Sequence, residues 1–300
     1  MKRIITHNGG FHTDDVFAVA TLLIFLGEEE TEVIRSRDPE IIKTGDFVVD
    51  TGFIYDPEKN LFDHHQIEGA GERGNGIPYA SFGLVWKKFG EIVCESKDLS
   101  EEIDKSLVQA IDATDNGVDI IKVLIPDVRL YDLWRMIGMF EPTWKEIKEF
   151  KIDNKFLEAV ELAKKILQRE IKKTKDKLEA ESIVRDVYKN TEDKRLIILS
   201  EENPFNRFMI SLTLVDFEEP IYFIHYGASD GGWRVAAVTK NKNSFESRKL
   251  LPLSWRGLGA DELSKITNVS DAVFCHRSGF MCAVKSKEGA IRLAKLALEA

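Results

Sequence analysis

Cysteine is nearly missing: Cys94, Cys275 and Cys282 are the only three among 300 residues. So sparse and odd a set excludes a disulfide framework and fits reduced thiols, and Cys275 and Cys282 stand too far apart for a zinc knuckle. No stretch approaches the roughly 18 apolar residues of a membrane span. No apolar leader precedes the strand-like run that begins at Arg3. A soluble cytoplasmic protein is therefore expected, with no membrane among its partners. Positive charge is also short, 42 Lys and Arg against 51 Asp and Glu, a net of -9. That excludes a wholly basic, duplex-coating protein but leaves room for a local cationic groove around a phosphate-bearing substrate. Internal repeats and low-complexity segments are missing as well, which removes solenoids.

What is present is ordinary core-forming material, 43% hydrophobic, in a chain long enough for two domains of ~150 residues. Strand-like runs at residues 3–6, 32–37 and 47–50 alternate with helix-like segments. The clearest of these, residues 16–26, is apolar nearly all round and should be buried against a sheet. Helical spacing continues over 80–93 and 100–113, the latter with Ser100 as a partial cap. Residues 154–187 read as one long amphipathic helix or two in series. Beyond the polar turn at 190–193 come strand-like runs at 195–200, 209–215, 221–226 and 233–240, then 271–275, 280–285 and a helix over 287–298. The expected fold class is α/β, a doubly wound, mainly parallel sheet joined by a long helix to a smaller C-terminal α/β domain. The expected divisions are a metal-binding catalytic domain at 1–150, a helical connector at 151–190 and a substrate-binding domain at 191–300.

Four His- and Asp-rich clusters fall in the first 115 residues: His7 with His12-Thr13-Asp14-Asp15, Asp50, Asp63-His64-His65, and Asp112-Ala113-Thr114-Asp115. Each follows an apolar run or ends a helix, so a parallel sheet would gather them at one edge, where they could share two metal ions. Donors of this kind without thiolate favour Mn²⁺ or Mg²⁺ over structural zinc, with a two-metal zinc site as the alternative. Individually each has a plainer reading. Asp14 could cap a helix, Gly9-Gly10 form a turn, Asp50 end a strand, and Asp112 or Asp115 cap a turn. The adjacent pair His64-His65 is harder to explain by packing.

The triplet Asp63-His64-His65 resembles the name motif of the DHH phosphoesterase superfamily. The stretches THNGGFHTDD, VVDTGFIYDPEKNLFDHHQ and AIDATDNGVD resemble its melanocyte-proliferating-gene (Myg-type) branch. So do LPLSWRGL and HRSGF near the C-terminus, which makes the likeness span most of the chain. The resemblance implies that His7, His12 and Asp50 hold one metal and that Asp14, Asp50, His64 and Asp115 hold the other, with Asp50 bridging. It implies that His65 faces the substrate phosphate and that Asp63 orients a histidine. Asp15 stands where the branch shows Glu. Asp112 and Asp115 both qualify for the fourth motif, and the TDNG context prefers Asp115. Two cations ~3.5–4 Å apart would then serve both the attacking and the leaving oxygen of an in-line displacement through an activated water.

In the C-terminal part, Gly231-Gly232-Trp233-Arg234 offers backbone amides for a phosphate, a flat aromatic for base stacking and a guanidinium. Arg256 and His276 are further substrate-binding candidates, with Arg248 and Arg277 behind them. His225 reads as a packed strand histidine, the Lys-rich run at 164–177 as the wet face of a helix, and Trp134, Trp144 and Trp255 as core or interface residues. The resulting expectation is a Mn²⁺- or Mg²⁺-dependent phosphodiester hydrolase, a 3′-5′ exonuclease on single-stranded RNA or short oligonucleotides. The alternatives are a phosphohydrolase for pyrophosphate or a dinucleotide, and a metal-binding regulator without catalysis. A homo-oligomer is left open.

Overall fold

The first apolar run forms strand β1 (Lys2–Thr6), followed by helix α1 (Thr13–Leu26), strand β2 (Thr31–Arg35), the short helix α2 (Pro39–Ile42) and strand β3 (Phe47–Val49). Strands β4 (Tyr55–Asp56) and β5 (Leu61–Phe62) complete a sheet in the order β2-β1-β3-β5-β4. The β1–β2, β1–β3 and β3–β5 pairs are parallel and the edge pair β4–β5 is antiparallel. The structure, a computed structural model, describes residues 1–227 and 231–300. Its chain divides into two units, Met1–Lys175 and Asp176–Ala300.

Parallel pairing has a direct consequence. The carboxyl ends of β1, β3 and β5 lie side by side, and the residues that follow them are His7, Asp50 and Asp63-His64. Helix α1 is apolar nearly all round and accordingly is buried on every side over its first eleven residues, Thr13 to Leu23. It packs on β1 and β3 and also on α3 (Ser81–Cys94), α5 (Gln109–Asp115) and α6 (Leu133–Gly138). Each fully buried Val, Leu, Ile or Phe on it contributes roughly 1.5–3 kcal/mol, so the loop that starts α1 is attached to a rigid base.

Between α3 and α5 runs α4 (Lys97–Ile103) with a π-helical turn, Asp104–Val108. Here the expected cap is corrected: Ser96, not Ser100, caps α4, its Oγ accepting the Leu99 amide at 3.3 Å. Ser100 lies one turn inside, and its carbonyl accepts Trp86 Nε1–H. The long amphipathic stretch is a single helix, α7 (Ile152–Asn190), with Phe156, Val160, Ala163 and Leu167 on its buried side.

The second unit contains β6 (Leu196–Ile198), α8 (Arg207–Leu214), β7 (Tyr222–Tyr226), β8 (Trp233–Ala237), α9 (Ala260–Thr267), β9 (Ala272–Cys275), β10 (Met281–Val284) and α10 (Lys287–Glu299). The strand order is β6-β7-β8-β10-β9, with only β6–β7 parallel. Residues 209–215, expected as a strand, are helical instead. Ile210 and Leu214, four apart, face the core together, and Asn206 accepts the Phe208 amide to start the turn. Alternate strand residues serve the two faces: Tyr222, Ile224, Val235 and Val284 pack with Leu263 and Leu293, while Phe223, Ala236 and Val238 pack with Ile210 and Leu214. Among the described residues no helix is long and apolar enough to cross a membrane.

Candidate metal centre

Asp50 is the hub of the edge where β1, β3 and β5 end. It follows β3 with a left-handed backbone (φ 54°), a conformation a non-glycine residue adopts at a cost. Two bonds hold it there: its amide donates to the Phe62 carbonyl at 3.1 Å, and Ser81 Oγ donates to its Oδ1 at 2.9 Å. The buried carboxylate then divides between two histidines, with Oδ2 at 3.2 Å from His7 Nε2 and Oδ1 at 3.3 Å from His64 Nε2. His64 Nε2 also lies 3.2 Å from Asp115 and 3.8 Å from Asp14. Each of three sets, His7 with His12 and Asp50, Asp50 with His64 and His65, and His12 with Asp14 and Asp115, brings its possible ligand atoms within 4.8 Å of one another.

The structure thus gathers all six expected metal-holding residues at one edge, and it separates the two fourth-motif candidates. Asp115 ends α5 beside His64. Asp112 turns away into a buried ion pair, 2.7 Å from Arg73 Nη1 and accepting the Gly83 amide at 3.0 Å. A Cβ on Gly83 would stand 1.8 Å from Asp112 Oδ2, so this corner requires glycine.

Electrostatics identify what the edge lacks. Asp14 is fully buried, and neither of its carboxylate oxygens has a hydrogen-bond partner among the described residues. Burial, and then the carboxylates of Asp50, Asp115 and Asp15, raise its pKa well above the ordinary range. Burial disfavours a charged ring at His7, but Asp15 and Asp50 outweigh it and bring its pKa to about 10; Asp115 and Asp50 do the same for His64, also to about 10. Burial works against a charged Asp50 too, yet the two histidines hold it ionised far below its usual value. The carboxylates of Asp14, Asp15, Asp50, Asp63 and Asp115 share this edge with the histidines, both oxygens of Asp14 lack a hydrogen-bond partner among the described residues, and no thiolate is present. Oxygen and imidazole donors so arranged fit divalent cations.

Asp15 and Asp63 support the histidines from behind, while Arg37 and Glu141 escaped the sequence. Asp15 accepts the His12 amide at 2.9 Å and also faces His7 Nε2 at 3.1 Å. Arg37 Nη2 sits 3.0 Å from His7 Nδ1. Its only sequence signal was a position at the end of the strand-like run 32–37. Arg37, Thr51 and Phe53 join His7, His12, Asp50, Asp63 and His65 around a cavity of about 80 Å³. From 130 residues away Glu141 accepts the Phe11 amide at 2.8 Å and so pins the loop between His7 and His12. Asp63 accepts both the amide and Nδ1–H of His65, at 3.0 and 2.8 Å, and takes the Phe53 amide on its other oxygen.

The C-terminal candidates do not converge. Gly231 (φ 68°), Gly232 (φ 97°) and Arg234 line a cleft of about 400 Å³ with Val273, Phe274 and Lys285. Trp233, expected to stack on a base, is 5% exposed; its ring is packed in the core, with Lys287 Nζ 5.3 Å from the ring centroid and Tyr226 against its edge. Strand alternation explains this correction, since Trp233 and Arg234 must point to opposite faces. Arg256 Nε donates to the Leu251 carbonyl (2.9 Å), and His276 Nδ1 accepts the Ser278 amide at 3.1 Å. Neither lines the cleft. His225 is a buried strand histidine, as expected. Trp255 is core, whereas Trp134 and Trp144 are exposed.

A family model described as an uncharacterised protein family (UPF0160), short name MYG1_exonuc, matches residues 3–298. Among curated relatives, the "MYG1 protein" of Dictyostelium discoideum is 32% identical, over 97% of this chain and 94% of the relative. The "MYG1 exonuclease" of Bos taurus is 31% identical over 99% of this chain and 84% of its own length. The protein of the same name in Homo sapiens is 30% identical, over 99% and 85%.

Proposed function

The chain belongs to the MYG1 family (MYG1_exonuc, UPF0160), and from that membership we propose that it is a metal-dependent phosphodiester hydrolase of DHH type. Its proposed activity is 3′-5′ exonucleolytic release from single-stranded RNA or short oligonucleotides, in the cytoplasm. The observation that carries the reading is the placement of Asp50 between His7 and His64, with the orphaned carboxylate of Asp14 beside them.

In this reading His7, His12 and Asp50 hold one cation, and Asp14, Asp50, His64 and Asp115 hold a second; Mn²⁺ suits the donors, as does Mg²⁺. Such cations, when bound, supply the charge that activates water and neutralises phosphate oxygens. The chain's own residues do the rest. Asp63 fixes Nδ1 of His65, which leaves Nε2 for the substrate. The same Asp63 contact, against the opposing effect of burial, raises the His65 pKa, so its ring can carry a proton to the leaving oxygen. Arg37 adds a guanidinium for a phosphate oxygen at the rim.

The test is incubation with Mn²⁺ and end-labelled RNA. Progressive release of single nucleotides, lost in Asp63→Ala and His64→Ala, is expected. Bound metal without turnover would instead indicate a regulator. A second reading, hydrolysis of pyrophosphate or a dinucleotide, is favoured by the small size of the cavity at the histidines, about 80 Å³. Turnover of those substrates without attack on longer RNA would select it.

A further inference from the structure

Fourteen of the 28 large apolar side chains that are exposed among the described residues fall between Ile120 and Phe150, about a tenth of the chain. They include Val123, Leu124, Ile125, Tyr131, Met139 and Trp144, with Leu124 and Trp144 each 82% exposed. At about 100 Å² apiece they offer on the order of 1,400 Å² of apolar surface. One side of a standard protein interface needs about 800 Å².

The backbone of the segment that precedes α6 is largely unpaired as well. After Asp115 the chain turns at Asn116-Gly117, where the Val118 amide donates to Ala113. It then runs out to a tight turn, Ile125 to Val128, closed by the Val128 amide and built on Pro126 and a left-handed Asp127 (φ 64°). It returns to the cap of α6 at Asp132. Among the described residues none makes a backbone hydrogen bond with residues 119–124 or 129–131. The outgoing arm is rich in β-branched residues (Ile120, Ile121, Val123, Ile125), so its free amides and carbonyls suit pairing with another extended chain.

Charge decides what kind of partner this surface takes. Between 119 and 149 six acids alternate with five bases, from Asp119 and Lys122 to Lys148 and Glu149. A membrane surface or a nucleic acid selects for an excess of basic residues, which is not found. Interleaved charges of both signs instead make a patch complementary to itself under a twofold axis, as an isologous contact requires. We propose that the arm at 118–132 and the apolar surface continuing to Phe150 form the interface of a homodimer, each copy's arm packing on the other's. This inference is independent of the proposed chemistry, because mass alone decides it.

Light scattering and sedimentation of the full-length protein at roughly 10 µM should give twice the 34.2 kDa chain mass. Leu124→Asp and Trp144→Asp should each weaken dimerisation at least about 100-fold and leave a folded monomer with an unchanged circular-dichroism spectrum, since both side chains are exposed. Phe245→Asp, which alters an equally exposed aromatic in the second unit, should remain dimeric. A monomeric wild type, or a dimer indifferent to both arm substitutions, would overturn the proposal. So would a monomer that floats with vesicles of phosphatidylcholine and phosphatidylserine.

Discussion

Asp15 Oδ2 lies 3.1 Å from His7 Nε2 while its other oxygen accepts the amide of His12, so one buried carboxylate ties together both histidines of the opening loop. The second contact is half of a capping box at the start of α1. A cap and a histidine-orienting group are therefore the same side chain. Its neighbour Asp14 is different in kind, because neither of its oxygens meets a donor among the described residues. Of these adjacent aspartates, one helical step apart, Asp15 builds the loop and Asp14 is the one left for a cation of the proposed centre.

Replacing Asp14 by Asn should reduce both Mn²⁺ binding and activity by more than about 100-fold. In the presence of a chelator the same variant should be more stable than the wild type, by roughly 1–3 kcal/mol, because a buried acid that folding forces either to take up a proton or to carry an unpaired charge is gone. Asp15→Asn keeps an acceptor for His12 and should cost activity about 10-fold. Metal titration, turnover and chelator-state melting check all three. The reverse order of losses would show that the pair has been divided wrongly.

The edge itself was legible in the sequence because β1, β3 and β5 are short apolar runs, each followed directly by the residue the site uses. Parallel pairing then does the assembling. What escaped were relations that depend on distance along the chain. Glu141 reaches Phe11 across 130 positions, and Arg73 meets Asp112 across 39, with no local pattern to announce either. Trp233 escaped for another reason: composition marks a tryptophan beside an arginine, but only the strand's alternation sends one inward and the other out. Residues 209–215 were misread because Ile, Leu and Thr suit strands and helices alike over so short a run.

The Arg73–Asp112 pair should carry fold stability, not activity. Arg73→Met leaves a buried aspartate unpaired and should cost about 3–5 kcal/mol, with Gly83→Ala acting in the same direction. Burial raises the Asp112 pKa to about 7 even though Arg73 pulls it back. Because the folded value exceeds the unfolded one, this group's stabilisation is full below about pH 4 and is lost as pH rises through about 7. Without Arg73 the folded value climbs further, so the deficit of Arg73→Met should be larger at about pH 8 than at about pH 5. Urea unfolding at the two pH values reads this; an equal deficit would remove Asp112 as its cause.

His225 gives the opposite slope. Its ring is 6% exposed with both nitrogens unpartnered among the described residues, and burial, with repulsion from Arg234 and Arg207, pulls its pKa down to about 4. A base whose folded pKa is depressed loses stability as pH falls, here between about 6.5 and about 4, to a total of about 3 kcal/mol. His225→Phe, beside Phe223, should abolish that part of the acid sensitivity. Thermal melts from neutral pH down to about pH 4 compare the two, and parallel curves would clear His225 of the role.

Neighbouring residues on β8 provide the sharpest separation of packing from binding. Trp233→Ala removes a core aromatic and should cost about 3–5 kcal/mol, read as a fall in melting temperature. The conservative Trp233→Phe should recover most of that stability and leave substrate affinity unchanged. Arg234 lines the cleft formed with Gly231 and Gly232, so Arg234→Ala should raise KM roughly 10-fold with the melting temperature nearly constant. Lysine at that position should restore only part of the affinity, since an ammonium cannot reproduce a two-pronged contact with phosphate. If a folded Trp233→Phe variant loses substrate binding while Arg234→Ala keeps it, the inward face of β8, and not the cleft, would have to be where substrate meets this strand.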